Sequence, residues 1–386
     1  MQRLLPLIQG LAGRGCPVHA LVDPRFADDV VGAGARFVDL FAEGPLDEID
    51  NQSVPVPSRY VTFAAVRTPA ITKRLAALRP RLIVYDTFSV VAPLVARRLG
   101  VPAVNVCCGH AMVPAGTLAD LARDPRVNTS AACLGAVSRL REEHGLVDAS
   151  PFSYVSGLSP HLNVYGEPPQ FLTAEERAAF EPILFFGSLA PTLREGRRSA
   201  PVFRSPGGLR RIYVSFGSVV WKYFQSEAEA ALRAVASAVL KLDADVVVTL
   251  AGHALTPATR STLAGAGIRV ERWVDQWSVL QEADLFLTHH GLNSTHEAIY
   301  HRVPMLSYPF FTDQPALARR CQQLGLAVAL APAPRARLPA GGIEAAIQRL
   351  DDDRAGFAAR LEEARRWELE TIKGRDLVLD RICALG

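Results

Sequence analysis

The chain has 386 residues, of which 49% are hydrophobic and 21% charged, and its formal net charge is +3 at pH 7. The length exceeds what a single core usually fills, so two domains are expected; charges of both signs without a basic block argue against a nucleic-acid partner. No apolar run reaches the length of a membrane span and the first residues lack a signal-peptide core, so no membrane partner is expected either.

Taken in chain order, Leu4–Ala12 reads as a helix, and VHALVD (Val18–Asp23) and ARFVDL as strands. A long loop at Glu43–Val66 leads to a helix at Pro69–Leu78, the strand RLIVYD (Arg81–Asp86) and a helix at Val90–Leu99. PAVNV and HLNVYG are further strands, separated by a second long loop at Gly109–Ser159; loops of this length are suspected of function. The stretch Leu189–Leu209, rich in Pro, Gly, Arg and Ser, reads as an interdomain linker. Beyond it the alternation is regular: strand Ile212–Phe216, a helix opened by Ser226 with Glu229 and running through Leu240, and strand Asp245–Ala251. IRVERWV, DLFLTH, PMLSYP and LAVAL complete a doubly wound parallel sheet, whose ligand crevice lies at the carboxyl ends of its strands.

Within that second half, Phe286–Gln314 carries the strongest signal. An apolar strand runs into Gly291, which permits a close backbone approach or a positive φ, and Asn293, Ser294 and Thr295 are helix-starting residues. Ser294 and Glu297 have capping-box spacing, and Pro304 ends the helix. Free N–H groups and the dipole at such a start make an anion site, to which His289 and His290 add hydrogen-bond donors. Two superficial motifs carry less. His296 and His301, beside Glu297, are one residue too far apart to share a helix face as zinc ligands, and Asp351–Asp353 reads as a solvated helix start. The six cysteines, Cys16, Cys107, Cys108, Cys133, Cys321 and Cys383, have no paired metal-ligand spacing and read as free thiols of a reducing cytoplasm.

Phe216-Gly217-Ser218, Trp273-Val274-Asp275-Gln276, Thr288-His289-His290-Gly291-Leu292-Asn293-Ser294 with Glu297, Val303-Pro304 and Asp313-Gln314 resemble, in order and spacing, the nucleotide-sugar-dependent glycosyltransferases of GT-B fold. Within that fold the resemblance is to the UDP-glucosyl and glucuronosyl transferases and the antibiotic glycosyltransferases of actinomycetes. It implies an α/β architecture of two Rossmann-like, doubly wound parallel-sheet domains facing a central cleft. The expected divisions are an acceptor domain at 1–190, a linker at 191–209, a nucleotide-sugar domain at 210–365 and a terminal helix at 366–386 returning to the first domain. The resemblance also implies that Trp273 stacks on the nucleobase, with Val274 and Gln276 near its edge. Ser218, His289, Asn293 and Ser294, beside Gly291, would contact the diphosphate; Glu297 the ribose; and Asp313 and Gln314 the transferred sugar. Neither a divalent metal nor a cofactor is required, and UDP-sugars are favoured over TDP-sugars. Two departures from the pattern stand out: His290 and Arg302 occupy positions where the family has Gly, and His290 is expected to crowd the phosphate loop.

Leu5-Pro6-Leu7-Ile8 matches a family segment that follows a strand and a Gly-His pair, whose histidine is the catalytic base. In that register the histidine is expected just before Met1, absent from the written chain, as through a misassigned start. Asp86 matches the aspartate that orients this histidine, and His110 is a candidate acceptor contact. The activity implied is an inverting transfer of a sugar to a small, apolar acceptor. The competing readings are a non-catalytic nucleotide-sugar-binding protein and an epimerase of the same fold.

Overall fold

The structure is a computed structural model that describes residues 4–155, 157–188, 202–204 and 208–386. It divides into two compact units, Met1–Gly187 with Thr371–Gly386 and Ser188–Glu370. Of the expected linker at 191–209, all but 202–204, 208 and 209 lie outside the described residues.

In the first unit, β1 (His19–Val22) pairs in parallel with β2 (Arg36–Asp39). A second parallel sheet has the order β3 (Ile83–Asp86), β4 (Ala103–Cys107), β5 (Asn163–Tyr165) and β6 (Ile183–Phe185). β6 is a strand that the sequence did not suggest. Every residue of β4 is buried, as befits a strand covered on both faces. One cover is apolar: Leu7 and Leu11 of helix Leu5–Gly13, with Val378, Leu379 and Ile382 of helix Arg375–Cys383, close over Val104, Val106 and Val164. Among the described residues β1 has a strand partner only in β2, and β3 only in β4.

Both long loops expected in this unit are instead partly helical. Helix Ser58–Ala76 begins inside the first and continues through Pro69, burying Val61, Phe63, Ala64 and Ile71. The second contains helices Pro114–Arg123 and Ala131–Glu142, the latter capped by Ser130, whose hydroxyl accepts from the Cys133 N–H at 3.0 Å. The two segments are fastened together where Val54 and Asn128 exchange backbone hydrogen bonds of 2.7 and 3.0 Å. Buried Asp50 holds that joint: Oδ1 accepts from the Ser53 N–H and the Ser130 hydroxyl, each at 3.0 Å, and Oδ2 from the Thr62 hydroxyl at 3.0 Å.

The second unit contains β7 (Arg210–Ser215), β8 (Ala244–Thr249), β9 (Arg269–Glu271), β10 (Leu285–Thr288), β11 (Met305–Ser307) and β12 (Ala327–Ala329). All are parallel, in the order β12-β11-β10-β7-β8-β9. Ser226 and Glu229 do not cap the first helix, which spans Gln225–Val239 without a side-chain cap. Glu229 is buried instead and accepts from the Thr259 hydroxyl at 2.6 Å and from the Gln225 amide at 2.9 Å, binding this helix to Pro257–Gly265. Burial by itself raises this carboxyl; the bonds from Thr256, Thr259 and Gln225 outweigh it and bring it down to about 2. Of Asp351–Asp353 only exposed Asp353 stands at a helix start, just before Arg354–Lys373, where its carbonyl accepts from the Phe357 N–H at 2.9 Å. Asp351 and Asp352 end helix Gly342–Asp352, and Asp351 is drawn to Arg210 at 2.7 Å.

Burial would raise the Asp50 carboxyl, but the bonds from Ser53, Ser130 and Thr62 win and hold it below the usual carboxylate range. Its contribution to stability is therefore complete above the ordinary aspartate value and is lost as acidification passes the depressed one. Asp50→Ala is expected to cost about 2–4 kcal/mol at neutral pH, leaving three partners unsatisfied. Urea unfolding checks it, and a loss below about 0.5 kcal/mol would contradict the assigned role.

Candidate functional site

β7 and β10 are neighbours, yet the chain leaves β7 towards β8 and β9 on one side and reaches β11 and β12 on the other. Connections that depart in opposite directions open a crevice at the carboxyl ends of these two strands. Two turns enter it, Phe216–Ser218 after β7 and His289–Gly291 after β10.

The His289 ring lies between those turns. A Cβ added to Gly217 would be 2.6 Å from its Nε2, and one added to Gly291 would be 2.4 Å from the same atom, so a side chain at either position displaces the imidazole. Gly291 has φ −64°, so the positive φ, one of its two expected uses, is not realised; what it supplies is room for His289. Gly217, at φ +67°, meets both demands. The His289 side chain is buried, which pushes its imidazole down to about 4 against a small opposing contribution from the Ser215 backbone. Among the described residues Nδ1 has no hydrogen-bond partner. Near neutral pH this ring is therefore neutral rather than cationic.

His290 does not crowd the turn. At φ +60° its fully buried ring reaches Ser307 Oγ at 2.7 Å and Thr295 Oγ1 at 3.3 Å. Arg302, the other substituted Gly position, also has positive φ and is exposed beside Glu362 at 3.1 Å.

Helix Leu292–Tyr300 starts with Gly291 as its N-cap and no side-chain cap, so the expected capping box of Ser294 with Glu297 does not form. The helix begins earlier than expected, and both side chains turn to Gln276. The Gln276 amide donates to Ser294 Oγ at 3.2 Å and to Glu297 Oε2 at 2.7 Å. Gln276 is itself fixed from below: the Tyr213 hydroxyl reaches its Oε1 at 3.5 Å, and the Tyr213 ring stacks on Phe286 across β7 and β10 with centroids 4.9 Å apart. His296, on the same helix, pairs with Glu368, both fully buried, whereas His301 packs its ring on Trp277 at 4.4 Å.

Trp273 is 66% exposed. Its ring lies against Gly252, where a Cβ would be 2.9 Å from Cζ2. Gly252 escaped the sequence reading, although a glycine just past the β8 run could have suggested it. Val274 is half-buried, and Asp275 accepts from the Ser278 hydroxyl at 2.6 Å at the start of helix Gln276–Glu282. Ser218 is exposed after β7, and Asn293 lies in the first turn of helix Leu292–Tyr300. Asp313 precedes helix Gln314–Gln323; buried Gln314 accepts from the Phe310 and Phe311 N–H groups at 3.0 and 3.3 Å, which sets the turn after β11.

In the first unit, Asp86 ends β3 and accepts from the Phe88 N–H at 2.9 Å. Burial and then the Asp86 charge push the Tyr60 phenol up to about 12. His110 is buried, its Nδ1 2.9 Å from Oε2 of the fully buried Glu167. Glu167, just past β5, was not singled out in the sequence because its role appears only when β4 and β5 pair.

Residues 196–355 match the family model described as UDP-glucoronosyl and UDP-glucosyl transferase. The chain is 27% identical over 338 residues to oleandomycin glycosyltransferase of Streptomyces antibioticus, covering 85% of this chain and 75% of that protein. Three further relatives are spanned over only 63%, 65% and 60% of their lengths. Among solved structures, the kitacinnamycin glycotransferase superposes with a TM-score of 0.74 at 23% identity, covering 99% of this chain and 95% of that one. The glycosyltransferase VinC in complex with DTDP superposes at 0.67 and 19% identity, covering 100% and 96%.

Gly291→Ala is expected to leave the fold intact but to displace the His289 ring, weakening nucleotide-sugar binding by about tenfold. Titration calorimetry checks this, and an unchanged affinity would contradict the packing argument. The match over residues 196–355, the relatives and the shared two-domain fold support a GT-B nucleotide-sugar glycosyltransferase.

Proposed function

We propose that the protein moves a sugar from a nucleoside diphosphate donor to a small, apolar natural-product acceptor, with inversion at the anomeric carbon and without a divalent metal. The observation that carries this reading is the neutral His289 ring lodged between Gly217 and Gly291 beside the start of helix Leu292–Tyr300.

Breaking the bond between sugar and diphosphate leaves negative charge on the departing phosphate. The helix start, the His289 N–H, the Ser218 hydroxyl and Asn293 direct donors and a positive dipole end at that charge, which lowers the barrier most in the transition state. The exposed Trp273 face is the platform for the base, with Val274 and Gln276 at its edge. Glu297, oriented by Gln276, accepts from the ribose, and Asp313 and Gln314 hold the sugar hydroxyls. A ribose contact at Glu297 favours UDP-sugars; the neighbour in complex with DTDP makes thymidine diphosphate the competing donor nucleotide.

On the acceptor side, Asp86 holds the base in the tautomer that receives the acceptor's hydroxyl proton as its oxygen attacks the anomeric carbon. His110, fixed by Glu167, contacts the acceptor. The described residues contain no helix long and apolar enough to cross a membrane, and the six free thiols suit a reducing cytoplasm.

The reading is tested by incubating the native protein with UDP- and TDP-sugars and a panel of hydroxylated aglycones, and detecting glycosides by mass spectrometry. Nucleotide binding without transfer or donor hydrolysis would contradict it. Trp273→Ala is expected to raise the donor KM by about tenfold or more with kcat little changed, since a stacked base contributes to binding in ground and transition state alike. Asp86→Asn is expected to lower kcat by about a hundredfold or more at unchanged donor KM; steady-state kinetics separate the two cases.

A further inference from the structure

The first unit is closed by residues from the far end of the chain, where helix Arg375–Cys383 lies against helix Leu5–Gly13. Three contacts fix this pair. A Cβ on Gly10 would be 2.4 Å from Leu379 Cδ1, so the Leu379 side chain packs into the space that this glycine leaves open. The Arg14 guanidinium donates to Asp376 Oδ1 at 2.7 Å and to Asp380 Oδ1 at 3.0 Å. Cys16 Sγ and Cys383 Sγ lie 3.4 Å apart on the rim of the apolar cluster beneath. Both thiols are partly exposed, whereas Cys107, Cys133 and Cys321 are buried.

We propose that Cys16 and Cys383 form an oxidisable thiol pair whose disulfide pins the carboxyl-terminal helix to the amino-terminal helix of the first unit. The sulfurs are in van der Waals contact, and a bonded pair requires a closer approach of only about 1.4 Å. The oxidant is a low-molecular-weight disulfide. One protein thiolate attacks one of its sulfurs, forming a mixed disulfide and expelling a thiolate that takes up the proton released. The second protein thiolate then attacks the protein-side sulfur of that mixed disulfide and expels the other small thiol. The two protein thiols are oxidised to one disulfide and the small disulfide is reduced to two thiols. Burial, followed by the neighbouring Cys16, raises the Cys383 thiol, so the exchange quickens as pH rises above neutral. The cross-link joins residues 367 positions apart and so encloses almost the whole chain.

The test treats the full-length protein with oxidised glutathione at pH 8 and reads intact mass and non-reduced peptide maps. The expected result is the loss of two hydrogens, a single linked peptide pair containing Cys16 and Cys383, and a melting temperature raised by roughly 5 °C that dithiothreitol reverses. Cys16→Ser and Cys383→Ser should each abolish the link, and Cys108→Ser should leave it unchanged. Slower trypsin cleavage after Arg375 and Arg381 in the oxidised protein should accompany it. A persistent glutathione adduct on Cys16 or Cys383, a link between other cysteines, or no loss of hydrogen in the wild-type protein would overturn the proposal, and the wild-type map decides it even where a variant does not fold.

Discussion

The site depends on a reversal of strand order between β7 and β10 and on the single imidazole that occupies it. Because the chain departs in opposite directions from these two strands, their following turns diverge, and the His289 ring fills the space between them. The two glycines are the condition for that placement, since a methyl group on either would overlap Nε2. Burial then keeps the ring neutral, so in the proposed donor site anion recognition would rely on N–H donors and a helix dipole. A protonated ring would bring a charge costly to bury and dependent on pH.

From this point the remaining order spreads through packed polar contacts. The stack of Tyr213 on Phe286 ties the two strands at the reversal, and the Tyr213 hydroxyl passes that register to Gln276, which holds Ser294 and Glu297 on the helix opposite. A side chain one turn into a helix is thus fixed by the strand beneath it. The two family glycines replaced here by His290 and Arg302 show how a positive φ is tolerated by larger residues. His290 recovers the cost through hydrogen bonds to Ser307 and Thr295, and Arg302 stays at the surface with Glu362.

Much of the second unit was legible in the sequence because its strands are short, continuous apolar runs at even spacing, each followed by small or polar residues. What was misread has local causes. Helix Ser58–Ala76 carries a β-branched stretch and Pro69, which weaken a helical signal that tertiary burial restores. Ser294 and Glu297 have the spacing of a capping box, but spacing does not reveal that Gln276 competes for both side chains. Asp50, Glu167 and Gly252 act through partners distant in the chain or through the space they leave, and neither is written in a local pattern.

The most direct measurement is nuclear magnetic resonance of the protein labelled at histidine nitrogen, titrated with acid and then with a nucleoside diphosphate sugar. The account requires the His289 ring to remain neutral until the pH approaches about 4 and a ring N–H to shift on nucleotide binding, with coupling to phosphorus. A His289 that titrates near the ordinary histidine value, or whose nitrogens do not respond to the nucleotide, would contradict it.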